Sequence, residues 1–405
     1  MRVVKYLVML MALACVPLLS HAAEIKMTSS TQYLWYQDIL ADQSERDVAE
    51  YLRLNVTKLD KEGKVNLYGY GRATKQVSSS DDPQGRLYYF YVDYRDALKE
   101  HLDMRVGRTY VNAAAISGTV DGAYFDLKNI GPVGVTVFGG RNVRFDDKRE
   151  IGVRGDALAG GSVYFDTVKN THVEVSYGKK YNDNDVAREN VGLDFSTTPF
   201  DIANFYGRFK YDTIAESYNE MLVGAKVAPI KDLTLRGEFY RSYPTFDTTS
   251  IYSVFAVNRY QEESIAAEYS LNANYRFSVK YAKEEFDEDE TNSATADVYE
   301  VGLLAKPIKD LTLNVNYEKR NGYAGQLNGV RFNAAYKISK ATIMAGIDYD
   351  DFRREASREG TAKKYWGGID YEFNKIFSAV VRVEDNVNFN YDSSFQGLAA
   401  IQINY

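Results

Sequence analysis

Apolar and polar side chains alternate along most of this chain, in segments of about ten residues separated by polar or glycine-containing connections. Three clear segments place these apolar residues on one face: Leu311, Leu313, Val315 and Tyr317; Tyr275, Phe277, Val279 and Tyr281; Val173, Val175 and Tyr177. The intervening positions are polar or charged. Because successive side chains of a β-strand point to opposite faces, this period of two predicts strands along the whole chain.

The apolar strand face has two possible environments. In a soluble sandwich it is the buried core, whereas in a membrane barrel it contacts lipid and the polar face surrounds water. A soluble sandwich domain seldom exceeds about 250 residues, yet this pattern runs from residue 23 to residue 405 without a boundary. We therefore predict an all-β fold, a closed antiparallel transmembrane barrel formed by one domain, 23–405, without a plug domain. A row of sandwiches and a soluble β-helix or propeller remain alternatives.

The connections between segments tend to alternate between short and long. Pro229-Ile230-Lys231-Asp232 and Pro307-Ile308-Lys309-Asp310 each join two alternating segments, as a tight hairpin turn would, because proline fixes φ and removes a donor that a turn does not need. An ordinary hairpin of any β protein would look the same. Counting segments gives about 22 strands, within a range of roughly 16 to 24. An even count places both chain ends on one side of the membrane, with the short turns.

The N-terminus has the pattern of a secretory signal peptide. Arg2 and Lys5 precede an apolar run that ends at Leu19, and Ser20-His21-Ala22 follows. The run is shorter than the roughly 20 apolar residues of a membrane-spanning helix, although an uncleaved anchor is the alternative. We expect residues 1–22 to be a signal peptide that is cleaved at Ala22, or one residue later.

The C-terminus ends on an aromatic residue preceded by alternating apolar positions, with Ile401, Ile403 and Tyr405 on one strand face. This tail resembles the last strand of Gram-negative outer-membrane barrels, in which such residues form the assembly signal. The resemblance implies a porin-like, multi-pass β-barrel in the outer membrane, with membrane lipid and the barrel assembly machinery as partners. The short Pro-Ile-Lys-Asp segments resemble the periplasmic turns of porins.

Composition agrees with a barrel and argues against a nucleic-acid partner. The chain contains 34 Tyr but only 2 Trp, and tyrosine suits the aromatic girdles where a barrel meets the membrane surfaces. The signal segment takes two of the 49 basic residues and none of the 56 acidic ones, so the mature chain would carry a net charge of −9. That charge opposes general binding of nucleic acid.

Candidate residues for catalysis or metal binding are few. Cys15, the one cysteine, lies in the signal segment. The only histidines beyond that segment are His101 and His172. His172 and Ser176 share a strand face, but four residues separate them by about 13 Å, beyond hydrogen-bond reach. We therefore expect no enzyme activity, no metal site and no cofactor.

Two functions fit a barrel of this size. The first is a porin, a passive channel for ions or small hydrophilic solutes, with these candidate pore-lining residues: Arg236, Glu238, Arg276, Lys280, Arg382 and Glu384. The second is suggested by porin-cytochrome conduits, in which a haem-free barrel forms a sleeve around a separate multihaem cytochrome. A count of 16 or 18 strands would favour the porin, and 20 or more would favour the sleeve. A structural or adhesive barrel is a lesser alternative.

A wide porin needs a constriction inside its lumen. The longest connection, Tyr243 to Tyr260, is the best candidate, because it carries several large side chains: Phe246, Tyr252, Phe255 and Arg259. An ordinary surface loop would have the same composition, so both interpretations of this connection remain open at the level of sequence.

Overall fold

The computed structural model describes residues 23–38, 43–78, 80, 82–145, 155–243, 247–249, 259–287, 293–322, 325–355, 358–388 and 391–405. Twenty-two β-strands occupy most of this part of the chain, and a single sheet contains all of them. Residues 1–22, with the predicted signal peptide and its cleavage position Ala22, lie outside the described residues. Among the described residues, no helix is both long enough and apolar enough to cross a membrane.

The first half of the sheet contains eleven strands and one helical turn. These elements are β1 (Glu24–Asp38), β2 (Gln43–Thr57), β3 (Val65–Gln76), β4 (Gln84–Asp96), α1 (Ala97–Glu100), β5 (Leu102–Asn112), β6 (Ser117–Ile130), β7 (Val133–Asn142), β8 (Ala157–Phe165), β9 (Thr171–Asn182), β10 (Asp185–Phe200) and β11 (Ala203–Asp212). Leu98 and Lys99 have left-handed backbone angles, so α1 is a tight turn rather than a regular helix.

The second half of the sheet contains the other eleven strands. These are β12 (Ser217–Ile230), β13 (Leu233–Ser242), β14 (Tyr260–Asn272), β15 (Tyr275–Asp287), β16 (Ser293–Ala305), β17 (Leu311–Gly322), β18 (Gly325–Ile338), β19 (Ala341–Glu355), β20 (Arg358–Glu372), β21 (Phe377–Asn388) and β22 (Tyr391–Asn404). Strand lengths of this order are sufficient for tilted strands to cross a bilayer, which needs about 9–11 residues.

The sheet closes on itself. Each strand pairs antiparallel with the next one along the chain, and β1 also pairs with β22, from Thr28 opposite Asn404 to Trp35 opposite Gly397. This last pairing leaves neither terminal strand with a free edge. The closed antiparallel barrel predicted from the alternation is therefore confirmed, and its strand number equals the number estimated from the sequence.

The outer face of the barrel is apolar. Residues directly opposite each other in antiparallel strands lie on the same face, and one such row runs from Val279 through Val301 and Tyr317 to Val330. Val301 is 53 % exposed and Ile265 is 62 % exposed. Apolar side chains exposed to this extent all round a closed sheet match a surface that contacts lipid, and a soluble sandwich would bury them.

The start of β1 and the end of β22 lie at the same end of the barrel, together with short turns. The two Pro-Ile-Lys-Asp segments are among these turns, as predicted: β12 ends at Ile230, two residues before β13, and 306–310 connects β16 to β17. We call this the turn end and the opposite end the loop end. In outer-membrane barrels the short turns face the periplasm.

Candidate functional site: the lumenal wall

The inner face of the barrel carries most of the charged strand residues. The strand register places all six sequence-predicted pore-lining side chains on this face: Arg236, Glu238, Arg276, Lys280, Arg382 and Glu384. Their positions follow from the alternation, because each stands between two neighbours on the lipid-facing surface. Whether they contact permeating ions is a separate question, treated under the proposed function.

Cations and carboxylates alternate on the wall formed by β13–β19. Lys280 Nζ lies 3.2 Å from Glu262 Oε1 and 3.7 Å from Glu300 Oε1. Arg331 Nη2 lies 3.1 Å from Asp350 Oδ1 in the same manner. Because both of these cations have carboxylates a few ångströms away, the field around them cancels over short distances. We call this surface the ionic wall.

The remaining predicted pore residues are held by similar contacts. Arg276 Nη1 lies 3.6 Å from Glu268 Oε1. The guanidinium of Arg382 stacks on the ring of Trp366, 4.3 Å from its centroid, with Glu384 Oε2 3.7 Å away. Arg236 and Glu238 are more loosely paired, at 3.9 Å. These six side chains therefore belong to a network of compensated charges.

A second part of the wall, on β2–β4, has a different composition. Its inner face includes six tyrosines and two arginines that stack on them: Tyr51, Arg53, Tyr68, Tyr70, Arg72, Tyr88, Tyr89 and Tyr91. We call this surface the tyrosine–arginine panel. The girdle explanation fits outward-facing tyrosines such as Tyr299, which is 47 % exposed, but it does not account for this inner group.

The hairpin of β5 and β6 bends into the lumen at its tip, Ala113–Ile116. Ala115 N donates to Ser176 Oγ over 2.8 Å, and Asn190 Nδ2 donates to Ala115 O over 3.0 Å. Ser176 and Asn190 lie on the inner faces of β9 and β10, so the tip is attached to the wall well inside the barrel. We call Ala113–Ile116 the lumenal tip.

Two glycines make room for the lumenal tip. A Cβ atom on Gly192 would lie 2.2 Å from Ala115 N, and one on Gly178 would lie 2.0 Å from Ile116 Cγ2. These distances are far below van der Waals contact, so any larger residue at either position would displace the tip. Glycine is required here for close backbone approach.

A small apolar core lies beneath the lumenal tip, on the lumen side of β5–β8. It consists of these buried side chains: Val111, Ala113, Ile116, Val120, Phe138 and Leu158. Burial of this apolar surface stabilises the inward bend of the hairpin. Sequence analysis missed the tip, although the run Ala113-Ala114-Ala115-Ile116 was a usable signal: a connection exposed to water is seldom entirely apolar.

The long connection 243–259, predicted as a constriction, is described only in part. Phe246, Tyr252 and Phe255 lie outside the described residues. Asp247 contacts two cations of the inner wall, with Oδ2 2.6 Å from Lys180 Nζ and Oδ1 3.2 Å from Arg188 Nε. The described part of this connection therefore reaches β9 and β10, several strands away from its own ends.

Asp247 remains ionised in this position. Burial opposes its negative charge, but the hydrogen bond from Lys180 and the charges of Lys180 and Arg188 outweigh burial and lower the pKa of the carboxyl below its usual 3.8. A second hydrogen bond, from Thr248 N to Ala187 O at 2.9 Å, fixes the neighbouring residue. Arg259, at the other end of the connection, bonds to Asp287 over 2.8 Å.

His172 and Ser176, which share the inner face of β9, have separate contacts. Ser176 Oγ accepts the hydrogen bond from Ala115 and so has a structural role, and the ring of His172 lies 6.1 Å from that of Tyr164. Among the described residues, no group of three or more potential ligands could hold a metal ion.

The last strand, β22, places its apolar residues on the outer face, as its alternation predicted. Ile401 and Ile403 point outward on β22, and Ile401 is 56 % exposed. Tyr405, the last residue, exchanges two backbone hydrogen bonds of 2.8 Å with Met27 of β1. Recognition of these residues by the assembly machinery stays a prediction.

A closed even-numbered barrel with an apolar exterior and a polar, charged interior is the architecture of outer-membrane porins. The chain has this architecture. Neither a protein-family model nor a curated protein sequence matches it.

Several solved outer-membrane proteins have a similar fold. The chain is similar to OpdK of Pseudomonas aeruginosa, with 9 % identity, a TM-score of 0.47 and 94 % of this chain and 99 % of that chain covered. OccK2 (OpdF) of the same organism, solved with glucuronate, has 10 % identity and a TM-score of 0.48, with 95 % of this chain and 98 % of that chain covered. OccAB3 of Acinetobacter baumannii has 12 % identity and a TM-score of 0.48, with 95 % of this chain and 100 % of that chain covered.

Proposed function

We propose that this barrel is a passive outer-membrane channel for ions and small hydrophilic solutes. The observation that carries the proposal is the polar, charged inner wall of a closed barrel. Twenty-two strands spaced about 4.8 Å apart enclose a backbone diameter of roughly 45 Å, too wide for inward side chains to fill. Charged residues that cannot be buried against one another across such a width need water around them. A water-filled lumen follows.

Two inward features limit the size of the passage. The lumenal tip occupies part of the cross-section beside β9 and β10, and Asp247 brings part of the connection 243–259 against the same strands. The free passage is therefore narrower than the backbone diameter, and it lies toward the ionic wall and the tyrosine–arginine panel. We expect the channel to exclude solutes by size.

Liposome swelling tests this function directly. Purified, folded protein reconstituted in liposomes should admit small sugars quickly and larger oligosaccharides progressively more slowly. Protein that is boiled before reconstitution provides the control. If the folded barrel admits no sugar at all, the channel proposal fails and a structural or adhesive barrel becomes the better account.

A second candidate is the sleeve around a multihaem cytochrome. The strand number favours it, because 22 strands lie in the range expected for a barrel with a separate occupant. The comparisons do not support a cytochrome partner, and the lumenal tip takes up space that an occupant would need. A haem-containing protein that co-purifies and abolishes solute passage would favour the sleeve over the channel.

A further inference from the structure

The two Pro-Ile-Lys-Asp segments at the turn end have the same sequence but different geometry. In the first, β12 continues to Ile230, and only Lys231 and Asp232 lie between the strands. In the second, β16 already ends at Ala305, so five residues, 306–310, form the connection to β17. This longer connection forms one side of a cleft at the turn end.

The cleft is held in shape by the sheet. It has a volume of about 670 Å³ and lies between the connection 306–310 and the adjacent ends of β17, β18 and β19. Lys306 N donates to Asn274 O over 2.7 Å, and Lys337 N donates to Asp310 O over 2.9 Å. These two hydrogen bonds fix the connection to its neighbours on both sides, so no ligand is needed to order the walls.

Positive charge dominates the lining of the cleft. Three lysines line it, Lys306, Lys309 and Lys337, and Asp310 is the one acidic residue among its lining residues. All three lysines are exposed, and within the described part of the chain none of them forms an ion pair. We call this site the lysine cleft.

Two other lysines near the turn end have carboxylate partners. Lys128 Nζ lies 2.7 Å from Asp96 Oδ1 and 2.9 Å from Asp103 Oδ2, and Lys64 Nζ lies 2.8 Å from Glu62 Oε2. A rim with no ligand to bind could balance its charges in the same way at the lysine cleft. Because a concave site lined by one sign of charge concentrates ions of the opposite sign, the unbalanced lysines favour an anionic ligand.

The lysine cleft belongs to the lumenal side of the wall. Lys337 stands opposite Thr342 in the register of β18 and β19. Their strand neighbours Tyr336 and Ile343 are exposed on the outer face, at 41 % and 47 %. A ligand therefore reaches the cleft from the water at the end of the barrel, and the headgroup of a membrane phospholipid would approach from the wrong side.

We propose that the lysine cleft binds small, soluble organic phosphate monoesters. A phosphate monoester carries a charge of about −1.5 to −2 near pH 7 and three strong acceptor oxygens, which suit three ammonium donors. Lysine binds phosphate as a compact point charge, and the hydroxyls of Thr312 and Thr342, which also line the cleft, can donate to the same oxygens. The volume of the cleft leaves space for the organic part of a small ligand.

Binding of glycerol 3-phosphate to the folded barrel in a neutral detergent tests the proposal. Titration calorimetry should detect it at low salt. Raising the salt from about 0.01 M to about 0.15 M should weaken the binding, because the Debye length falls from about 30 Å to about 8 Å. Acetate, with a single negative charge, should bind more weakly. Absence of glycerol 3-phosphate binding at low salt would overturn the proposal, as would binding of phosphatidylglycerol in mixed micelles without binding of glycerol 3-phosphate.

Matched variants locate the binding at the cleft. Lys306→Gln, Lys309→Gln and Lys337→Gln should each weaken glycerol 3-phosphate binding about threefold, the effect of one exposed charge pair. The triple variant should show no measurable binding. Lys231→Gln changes the first Pro-Ile-Lys-Asp segment, which lies outside the cleft, and should leave binding unchanged. Equal binding by the triple variant and the wild type would also overturn the proposal. Heat-modifiable migration verifies that each variant is folded.

The lysine cleft goes beyond the proposed channel function, and failure of either proposal can be recognised separately. Uncharged sugars should enter liposomes at the same rate through the triple variant and the wild type. If sugars pass but glycerol 3-phosphate does not bind, the cleft proposal is wrong and the channel stands. If glycerol 3-phosphate binds as described but no sugar passes, the channel proposal is wrong and the cleft is a binding site at the end of a closed barrel.

Discussion

Ile401 of the last strand lies directly opposite Thr31 of the first strand, on the outer face of the barrel. The pairing of β1 with β22 extends over eight residue pairs, from Thr28 opposite Asn404 to Trp35 opposite Gly397. It converts an open sheet into a cylinder in which every strand has two partners. The predictions on stability and assembly depend on this closure.

Closure predicts that the protein resists detergent until it is boiled. All backbone hydrogen bonds of a closed barrel are satisfied within the sheet, so sodium dodecyl sulfate alone should not unfold it. Membrane-extracted protein should therefore migrate differently on a denaturing gel before and after boiling. Identical migration, together with recovery in the soluble periplasmic fraction, would argue against a transmembrane barrel.

The last strand offers a matched pair of positions for testing lipid contact. Ile403 points outward and Gln402 points inward on the same strand. A carboxylate on the lipid face costs roughly 1 kcal/mol or more, depending on depth, and it also alters the predicted assembly signal. Ile403→Asp should lower the amount of folded protein in the outer membrane, whereas Gln402→Asp should not. Equal amounts of the two variants, measured by heat-modifiable migration, would contradict this assignment.

The lumenal tip can be displaced by one substitution. In Gly192→Val, the new side chain would occupy the place of Ala115, at a cost of about 1–3 kcal/mol for overpacking if the tip stayed. We expect the tip to leave the wall and the single-channel conductance to rise. Gly237→Val provides the control, because the nearest atom to its Cβ is Ser264 O at 4.0 Å. A Gly192→Val conductance equal to that of the control would show that the tip does not narrow the passage.

Asp247 predicts a pH dependence at the loop end. Its folded-state pKa is lowered below 3.8, so the carboxylate holds Lys180 and Arg188 at neutral pH. The stabilisation is complete above pH 3.8 and is lost as the pH falls through the lower, folded-state pKa. Channel recordings should be steady near pH 7 and become noisy well below pH 3.8. Asp247→Asn should be noisy already at pH 7; quiet recordings from this variant would mean that the contact does not hold the connection.

The sequence predicted the barrel because its information is local and repeated. Segments such as Leu311 to Tyr317 each carry the alternation, so the lipid-facing and lumenal sides could be assigned one strand at a time. The positions of Arg236 and Lys280 on the inner face followed from the same periodicity. The assignment did not depend on where each turn begins, since the register of each strand is fixed by its apolar face.

The specific surfaces of the lumen could not be predicted in this way. The panel depends on Arg53 meeting Tyr70 and on Tyr70 meeting Tyr89, and these are register relationships between strands that alternation does not define. The lumenal tip depends on a short connection contacting β9 and β10, more than 60 residues further along the chain. Such contacts are set by how the closed barrel places distant segments side by side.

Single-channel recording from the purified barrel in planar bilayers tests the central claim most directly. A self-sufficient channel with paired charges on its ionic wall should give stable openings of modest conductance and weak ion selectivity. The net charge of −9 expected after signal removal should favour cations slightly, and salt near 1 M should abolish this preference because the Debye length falls to about 3 Å. Absence of openings from demonstrably folded protein, or very large erratic openings that a co-purifying protein abolishes, would contradict the account.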